Sequence, residues 1–342
     1  MLPSAIPMRP PEVSVLLPVR DAAPTIGAAL RSVRRQTLTA WECIVADDGS
    51  RDATPAIVDE VAATDRRVRR IALPRRGLVP ALVDGLAACR GPLIARMDAD
   101  DLMHRDRLAA QVAALRADAS LEAVGCHVRL FPRSALTPYR RDYEAWLNAM
   151  RTPEDVARDA LVECPVAHPT WCVRGGVLRR LGYREDDGPE DYDLLLRLLR
   201  DGGRFGMVPR RLLARRDGPG RLSRTHPRDA PRRFTAGKPT HLADTLLAGC
   251  PGYVLWGYGA TGRALRRALT HHGRHPTSIV EVKPSRIGRV IHGAPVVPIE
   301  ALPALRGTPI VVSVARAGPR AEIRAILAAR GFSELRDFVC AA

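Results

Sequence analysis

Between residues 13 and 101 the chain repeats one pattern: a short run of apolar, β-forming residues, a turn carrying acids or glycine, then apolar residues at helical spacing. VSVLLPV (13–19) leads into DAAPTIGAALRSVRRQ, WECIVADDGS into RDATPAIVDEVAA, and RRIALP into GLVPALVDGLAAC; PLIARMDADD closes the series. An unbroken apolar run marks a strand covered on both faces. Strands separated by helices pair in parallel. The pattern therefore predicts an α/β domain with a mostly parallel sheet flanked by helices. Thr25 and Thr54 read as helix N-caps, with Pro55 at a first helical position. In open sheets of this kind ligands collect beyond the carboxyl ends of the strands. The polar clusters PVRD, DDGS and DADD fall there.

A Pro/Gly/Arg-rich stretch, RRDGPGRLSRTHPRDAPRRF at 215–234, interrupts the pattern and reads as a linker or a flap. HLADTLLAG follows as a short helix. At Gly252 a second α/β series begins: YVLWGYGATGRALRRAL, TSIVEV, PIVVSVA and RAEIRAILAARGF. The expected organisation is a first domain over 1–226, a helical linker over 227–250 and a smaller α/β domain over 251–342. A chain of 342 residues is long enough for both.

The formal net charge is +16, yet only Lys238 and Lys283 are lysines, so 51 of 53 basic residues are arginine. Together with abundant Ala, Pro and Gly this is the bias GC-rich coding produces, which removes most of the argument from charge to nucleic acid. Aromatic residues make up 4%, too few for a base-stacking platform. No nucleic-acid partner is expected. A nucleotide diphosphate or an anionic membrane surface suits the charge at least as well. Seven scattered cysteines, with no C-x-x-C pair, read as reduced thiols. The N-terminal residues lack the order of a secretory signal, and no run approaches the roughly 18 apolar residues of a membrane span. The expected location is cytoplasmic, with any membrane contact peripheral at the inner face of the cell membrane.

Two acidic constellations carry the chemistry. RMDADDLMHRDRL places Asp98, Asp100, Asp101 and Asp106 just after an apolar strand. Asp-x-Asp at a strand end offers hard oxygen ligands to Mn²⁺ or Mg²⁺, which keep waters and bridge to phosphates; the other reading is a solvated, capped turn. GPEDYDLLLRLL puts Glu190, Asp191 and Asp193 in the first turn of a helix, with Pro189 suited to that turn. They read either as acidic capping against the macrodipole or as the source of a general base.

In order and spacing, VSVLLPVRD, ADDGSRD, RGLVPALVDGL, RMDADD, HPTWCVRGGVL with LGYRE, and EDYDLLLRL resemble family 2 glycosyltransferases of the GT-A fold, over roughly residues 12–226. The resemblance implies that Pro18, Val19 and Arg20 line a nucleotide pocket. It implies that Asp47 contacts the donor base with Asp48 beside it, and that Arg76 and Gly77 approach the donor. Asp98 and Asp100 would hold the metal against the diphosphate, with Asp101 a further ligand or a cap. Asp191 resembles the catalytic base, oriented by Glu190. His168 stands on the acceptor side or is a structural histidine. The implied reaction moves a sugar from a UDP-, dTDP- or GDP-sugar to a hydroxyl of a glycan, glycolipid or protein, with inversion and no covalent intermediate. Arg221, Arg224 or His226 would meet phosphate if 215–234 closes over the donor. Arg75 and Asp84 depart from the family pattern, where asparagine is common, and this leaves the donor open.

In the second series Gly257, Gly259 and Gly262 form G-x-G-x-x-G between a strand and a helix, and Glu281 ends the next strand 22 residues after Gly259. This is the arrangement that holds a dinucleotide pyrophosphate with an acid at the ribose. It looks like a Rossmann-like domain, read either as an NAD(P) site or as a structural or regulatory module. No Tyr-x-x-x-Lys pair accompanies it, which argues against redox catalysis. The alternative function for the whole chain is a nucleotide-binding regulatory or assembly protein with weak or no transferase activity. The intact Asp-x-Asp and Glu-Asp pairs favour the enzyme.

Overall fold

The computed structural model describes residues 10–185, 188–218 and 237–342. Contacts divide them into two units. The first gathers 10–153, 166–185 and 203–218; the second gathers 154–165, 188–202 and 237–342. The sequence reading runs the first domain unbroken to 226. Contacts instead group 154–165 and 188–202 with the later part of the chain.

The first unit is built on eight strands: β1 (Val13–Val19), β2 (Trp41–Asp48), β3 (Val68–Leu73), β4 (Leu93–Arg96), β5 (Leu102–Met103), β6 (Leu121–Phe131), β7 (Cys172–Arg174) and β8 (Arg204–Arg216). Their order is β3-β2-β1-β4-β7-β6-β8-β5. The four strands expected from the apolar runs pair in parallel as predicted. Beyond them the sheet is mixed: β7 runs antiparallel to both β4 and β6, while β6 and β8 are parallel. β1 lies between β2 and β4, so the chain steps outward on one side through β2 and β3, then crosses back. That crossing is a topological switch point, where strand ends open a crevice.

β1 and β2 are buried along their whole length. Helix α1 (Ala23–Arg34) lays Ile26, Ala29, Leu30 and Val33 against them. Helices α2 (Thr54–Thr64) and α3 (Leu78–Ala88) follow β2 and β3. Gly85 lets α3 approach the sheet, because a Cβ there would stand 2.5 Å from Leu16 Cδ1. Neither threonine caps a helix as expected. Ala22 and Ala53 occupy the N-cap positions. The Thr54 hydroxyl instead accepts the Ala22 N–H at 2.8 Å, tying the loop after β1 to the loop after β2. At the amino ends of the strands, the buried Glu42 joins Ser14 (2.7 Å) to Arg90 (2.7 Å) and Arg69 (3.2 Å).

The second unit carries six strands: β9 (Gly252–Trp256), β10 (His275–Val280), β11 (Val290–Ile291), β12 (Ala294–Val297), β13 (Ile310–Val312) and β14 (Phe338–Cys340), in the order β11-β12-β10-β9-β13-β14. All pairings but β11–β12 are parallel. The expectation of a second, smaller α/β sheet is met. The helices Ala260–His271 and Ala317–Ala329 follow β9 and β13. The segment 154–165 is bound here: Arg324 reaches Asp159 at 2.6 Å, and Lys238 donates to Val162 O at 3.0 Å. The helix Glu190–Arg200 packs in the same unit, with the Tyr192 hydroxyl donating to Ala160 O at 2.7 Å.

Candidate active site

At the switch point the carboxyl ends of β1, β2 and β3 are drawn together by one acid. Asp48 is the last residue of β2 and is nearly inaccessible. Its carboxylate accepts the N–H groups of Arg76 (2.7 Å) and Gly77 (3.0 Å) from the loop after β3, and the Arg20 guanidinium (3.1 Å) from the loop after β1. Gly77 sits at φ 105, a conformation that favours glycine, which lets its N–H turn toward the acid. Arg20, Asp48, Arg76 and Gly77 therefore meet at this edge. Pro18 and Val19 are buried strand residues paired with Ala46 and Asp47; they deliver Arg20 to the edge. Asp47 is also buried and is committed to the Ser50 N–H (3.0 Å) and to Arg70 (3.4 Å).

The two departures from the family pattern are both engaged in ion pairs. Arg75 contacts Asp21 at 2.9 Å, and Asp84 pairs with Arg76. Asp21 adopts φ 50 and accepts the Arg51 N–H. That N–H, with Arg75 behind it, holds the Asp21 carboxyl below its usual range.

One strand over, the turn after β4 gathers three acids. Ligand oxygens of Asp98, Asp100 and Asp101 all lie within 4.8 Å of one another. Asp98 and Asp100 are half-buried, while Asp101 is fully buried. Asp106 does not join them; it is the N-cap residue of α4 (Arg107–Ala117). The cluster is fixed from behind by cations. Arg96, itself buried, holds Asp98 at 2.8 Å. The Arg216 N–H donates to Asp101 at 2.7 Å, and its guanidinium to Asp100 O at 3.1 Å. Burial pushes the Arg215 guanidinium toward its neutral form, but Tyr143, Asp101 and Asp98 outweigh this and raise its pKa. Arg107, fully buried under the turn, donates to Arg96 O at 2.9 Å; burial lowers its pKa.

The three carboxylates suit a hard divalent cation. They are oxygen donors within reach of one point, two of them are half-buried, and they follow the carboxyl end of β4, which runs parallel to β1 in the same sheet. Sequence reasoning missed Arg96 and Arg216. Arg215 and Arg216 were expected in a linker or flap; they close the thirteen-residue strand β8 instead. Arg221, Arg224 and His226 lie outside the described residues.

His168 is buried, with its Nε2 3.0 Å from the Tyr183 hydroxyl and its ring edge-on to Trp171. Glu190 and Asp191 open the helix Glu190–Arg200 in the second unit, both half-buried, and Asp191 accepts the Tyr192 N–H at 2.8 Å. In that unit the glycine turn after β9 forms with Gly257 at φ 89. Gly262 permits the helix to close on it, since a Cβ there would stand 2.4 Å from Gly257 O; Gly259 is the N-cap. Glu281 is engaged within its own loop. Its carboxylate takes Arg286 at 2.9 Å and the Val282 N–H at 3.0 Å, and Arg286 also reaches Tyr258 O at 3.2 Å.

Residues 14–181 match the family model for Glycosyl transferase family 2. The chain is 30% identical over 200 residues to the putative glycosyltransferase EpsE of Bacillus subtilis (strain 168), covering 57% of this chain and 69% of that protein. It is 42% identical over 111 residues to the succinoglycan biosynthesis protein ExoO of Rhizobium meliloti (strain 1021), covering 32% of this chain but 31% of ExoO. Against EpsH of B. subtilis (strain 168) the match is 38% over 99 residues and spans 29% of each protein. The fold is similar to that of S. aureus TarS 1–349 in complex with UDP-GlcNAc, with TM-score 0.54 and 15% identity over 76% of this chain and 71% of that one.

Proposed function

The chain belongs to glycosyl transferase family 2, and from that membership we propose that it transfers a sugar from a nucleotide-sugar donor to an acceptor hydroxyl with inversion at the anomeric carbon. The observation that carries the reading is the carboxylate cluster Asp98, Asp100 and Asp101 at the end of β4, beside the Asp48-tied loops. The likeness to TarS, whose structure holds UDP-GlcNAc, supports a UDP- or related nucleotide sugar as donor. The match to ExoO supports a glycan acceptor.

In this reading Arg20, Arg76 and Gly77 form the wall of the donor pocket, kept in place by Asp48. Asp98 and Asp100 hold Mn²⁺ or Mg²⁺, with Asp101 as the buried support of their turn. Bound there, the cation supplies charge neutralisation to the leaving diphosphate. Asp191 accepts the proton of the attacking hydroxyl, with Glu190 orienting it. The second unit acts as a structural or regulatory module, because Glu281 is already engaged by Arg286. Among the described residues no helix is long and apolar enough to cross a membrane.

The test is a panel of UDP-, dTDP- and GDP-sugars with Mn²⁺ or Mg²⁺, scored for nucleotide release and transfer. Asp191→Asn should lose about 10²–10⁴ in turnover while donor binding by titration survives. Undiminished turnover in this variant removes Asp191 from the reaction, and no release from any donor removes the activity.

A further inference from the structure

Most arginines of the first unit that reach its surface meet an acid: Arg20 with Asp48, Arg69 and Arg90 with Glu42, Arg70 with Asp59, Arg75 with Asp21, Arg140 with Asp217. At one place several arginines crowd around a single acid. A cavity of about 560 Å³ is lined by Arg31, Arg34, Arg35 and Arg67, with Asp65 as its only acid. Arg31, Arg34 and Arg35 come from the last turn of α1 and its C-cap, and Arg67 from the loop leading into β3. The cavity therefore lies toward the amino ends of β2 and β3. The acid cluster and the Asp48 loops stand at the carboxyl edge of the same sheet, and Leu102, directly after Asp101, is part of the cavity's lining.

The cavity is held in shape. Asp65 takes Arg67 through two contacts (3.0 and 2.9 Å) and Arg34 at 3.4 Å. The Arg67 guanidinium also lies over the buried Trp41 ring, 3.9 Å from its centroid. Arg31 and Arg35 are exposed and form no ion pair among the described residues. One acid is spent on two arginines, and two more guanidiniums face the same space. Ala28 and Leu102 supply an apolar wall. Planar guanidinium forks match phosphate oxygens in pairs, and the frame of Asp65, Arg34 and Arg67 is held before any ligand binds.

We propose that this cleft is a second anion site, which takes the phosphate group of a ligand other than the sugar donor, with Arg31 and Arg35 as the binding forks and Arg34, Arg67 and Asp65 as their frame. The phosphate is either free, as in a soluble phosphate ester, or presented by a phospholipid headgroup. This goes beyond the transferase reading and does not depend on it.

Two probes separate the sources. Inorganic pyrophosphate is titrated calorimetrically in EDTA, so that the carboxylate cluster has no cation through which to hold it. Phosphatidylcholine vesicles with and without phosphatidylglycerol are used in co-sedimentation at fixed salt. The wild-type protein should bind pyrophosphate, the phosphatidylglycerol vesicles, or both. Arg31→Ser/Arg35→Ser should weaken that binding at least about tenfold, since it removes two charge-assisted contacts. A control of equal charge change, Arg267→Ser/Arg289→Ser, alters exposed arginines of the second unit and should bind as wild type. The thermal unfolding midpoint of each variant reports that the fold is intact. Binding to pyrophosphate alone assigns a soluble ligand, and binding to vesicles alone a lipid. No binding of either probe, full binding by the Arg31/Arg35 variant, or an equal loss in both double variants overturns the proposal.

Discussion

Asp48 and Glu281 occupy comparable places in the two units: each stands at the carboxyl end of a parallel strand beside a glycine-bearing turn. Their partners differ. Asp48 gathers groups from far along the chain, the Arg20 guanidinium 28 residues before it and the Arg76 and Gly77 N–H groups 28 and 29 residues after it. Glu281 spends itself within five residues, on Val282, Lys283 and Arg286. An acid that ties distant loops builds a pocket wall. An acid closed by its own loop seals a turn. The same contrast separates the Asp98–Asp100–Asp101 cluster, where three carboxylates converge, from the second sheet, where one acid already has its cation.

The widest separation between the units should appear in turnover. Asp100→Ala should cost about 10²–10⁴ in transfer, the scale of losing a group that acts only on the developing charge. Glu281→Gln should leave transfer within about twofold, because a part-exposed ion pair contributes little even to stability. Both are read from initial rates with saturating donor and Mn²⁺. Equal losses would erase the distinction between a working edge and a sealed turn.

Stability offers a second separation, this time between the two edges of the first sheet. Glu42 lies buried at the amino edge. Burial alone would raise its carboxyl; the Ser14 hydroxyl and the Arg90 N–H and guanidinium outweigh that and hold it below the usual glutamate range. A group whose pKa is depressed on folding stabilises the fold above its unfolded pKa and loses that contribution as pH falls through the folded one. Glu42→Gln should therefore cost about 1–2 kcal/mol at pH 7, because Arg90 and Arg69 remain open to solvent and water screens both pairs. The difference from wild type should shrink below about pH 4.5, the ordinary glutamate value. Denaturant midpoints at pH 7 and pH 4 measure both. A cost independent of pH would mean that packing, not charge, holds the amino edge.

β1, β2 and β4 and the acids after β2 and β4 were legible because doubly covered parallel strands leave unbroken apolar runs, and the chain must turn where those runs end; the edge strand β3 was legible from its place between two helical patterns. What the sequence hid is non-local or charge-masked. β8 carries arginines at 204, 210, 211, 215 and 216 and so lacks an apolar signature, yet its end is what fixes Asp101. Thr54 reads as a cap by position, but its hydroxyl is claimed by Ala22 N, 32 residues away. The helix that opens with Glu190 and Asp191 reads as continuous with the first domain. Its grouping with the second unit rests on contacts such as Tyr192 to Ala160, which no local pattern encodes. The glycine turn was read correctly as a turn, since Gly257 and Gly262 are needed for its backbone. Whether its acid was free depended on Arg286, five residues on, whose side-chain direction the spacing does not state.

Asp48→Asn sharpens the contrast within the donor edge. The amide keeps the size and one acceptor but loses the charge that holds Arg20 and the two N–H groups. A charge-assisted contact contributes about 1.5–3 kcal/mol, so the Michaelis constant for donor should rise roughly tenfold to a hundredfold, with the rate at saturating donor changing less. A fall in the saturated rate with an unchanged Michaelis constant would place Asp48 in the chemical step rather than in the pocket wall.

The smallest effect should come from freeing the acid of the second sheet. Arg286→Ala removes the guanidinium that bridges Glu281 and Tyr258 O, and its side chain is about one-third exposed (34%). A pair of this kind contributes about 0.2–1 kcal/mol, so the melting temperature should fall only slightly and transfer should not change. The glycine turn should persist, because its shape comes from Gly257 and Gly262 and from the Ser313 hydroxyl donating to Gly257 O at 2.7 Å. Adding NAD⁺ to wild type should then produce no thermal shift, since Glu281 is occupied. A shift that appears only in Arg286→Ala would mean that the turn is a competent ribose and pyrophosphate cradle held shut by one arginine. A shift already present in wild type would mean that Arg286 yields to the ligand, and the two sheet ends would differ in affinity rather than in kind.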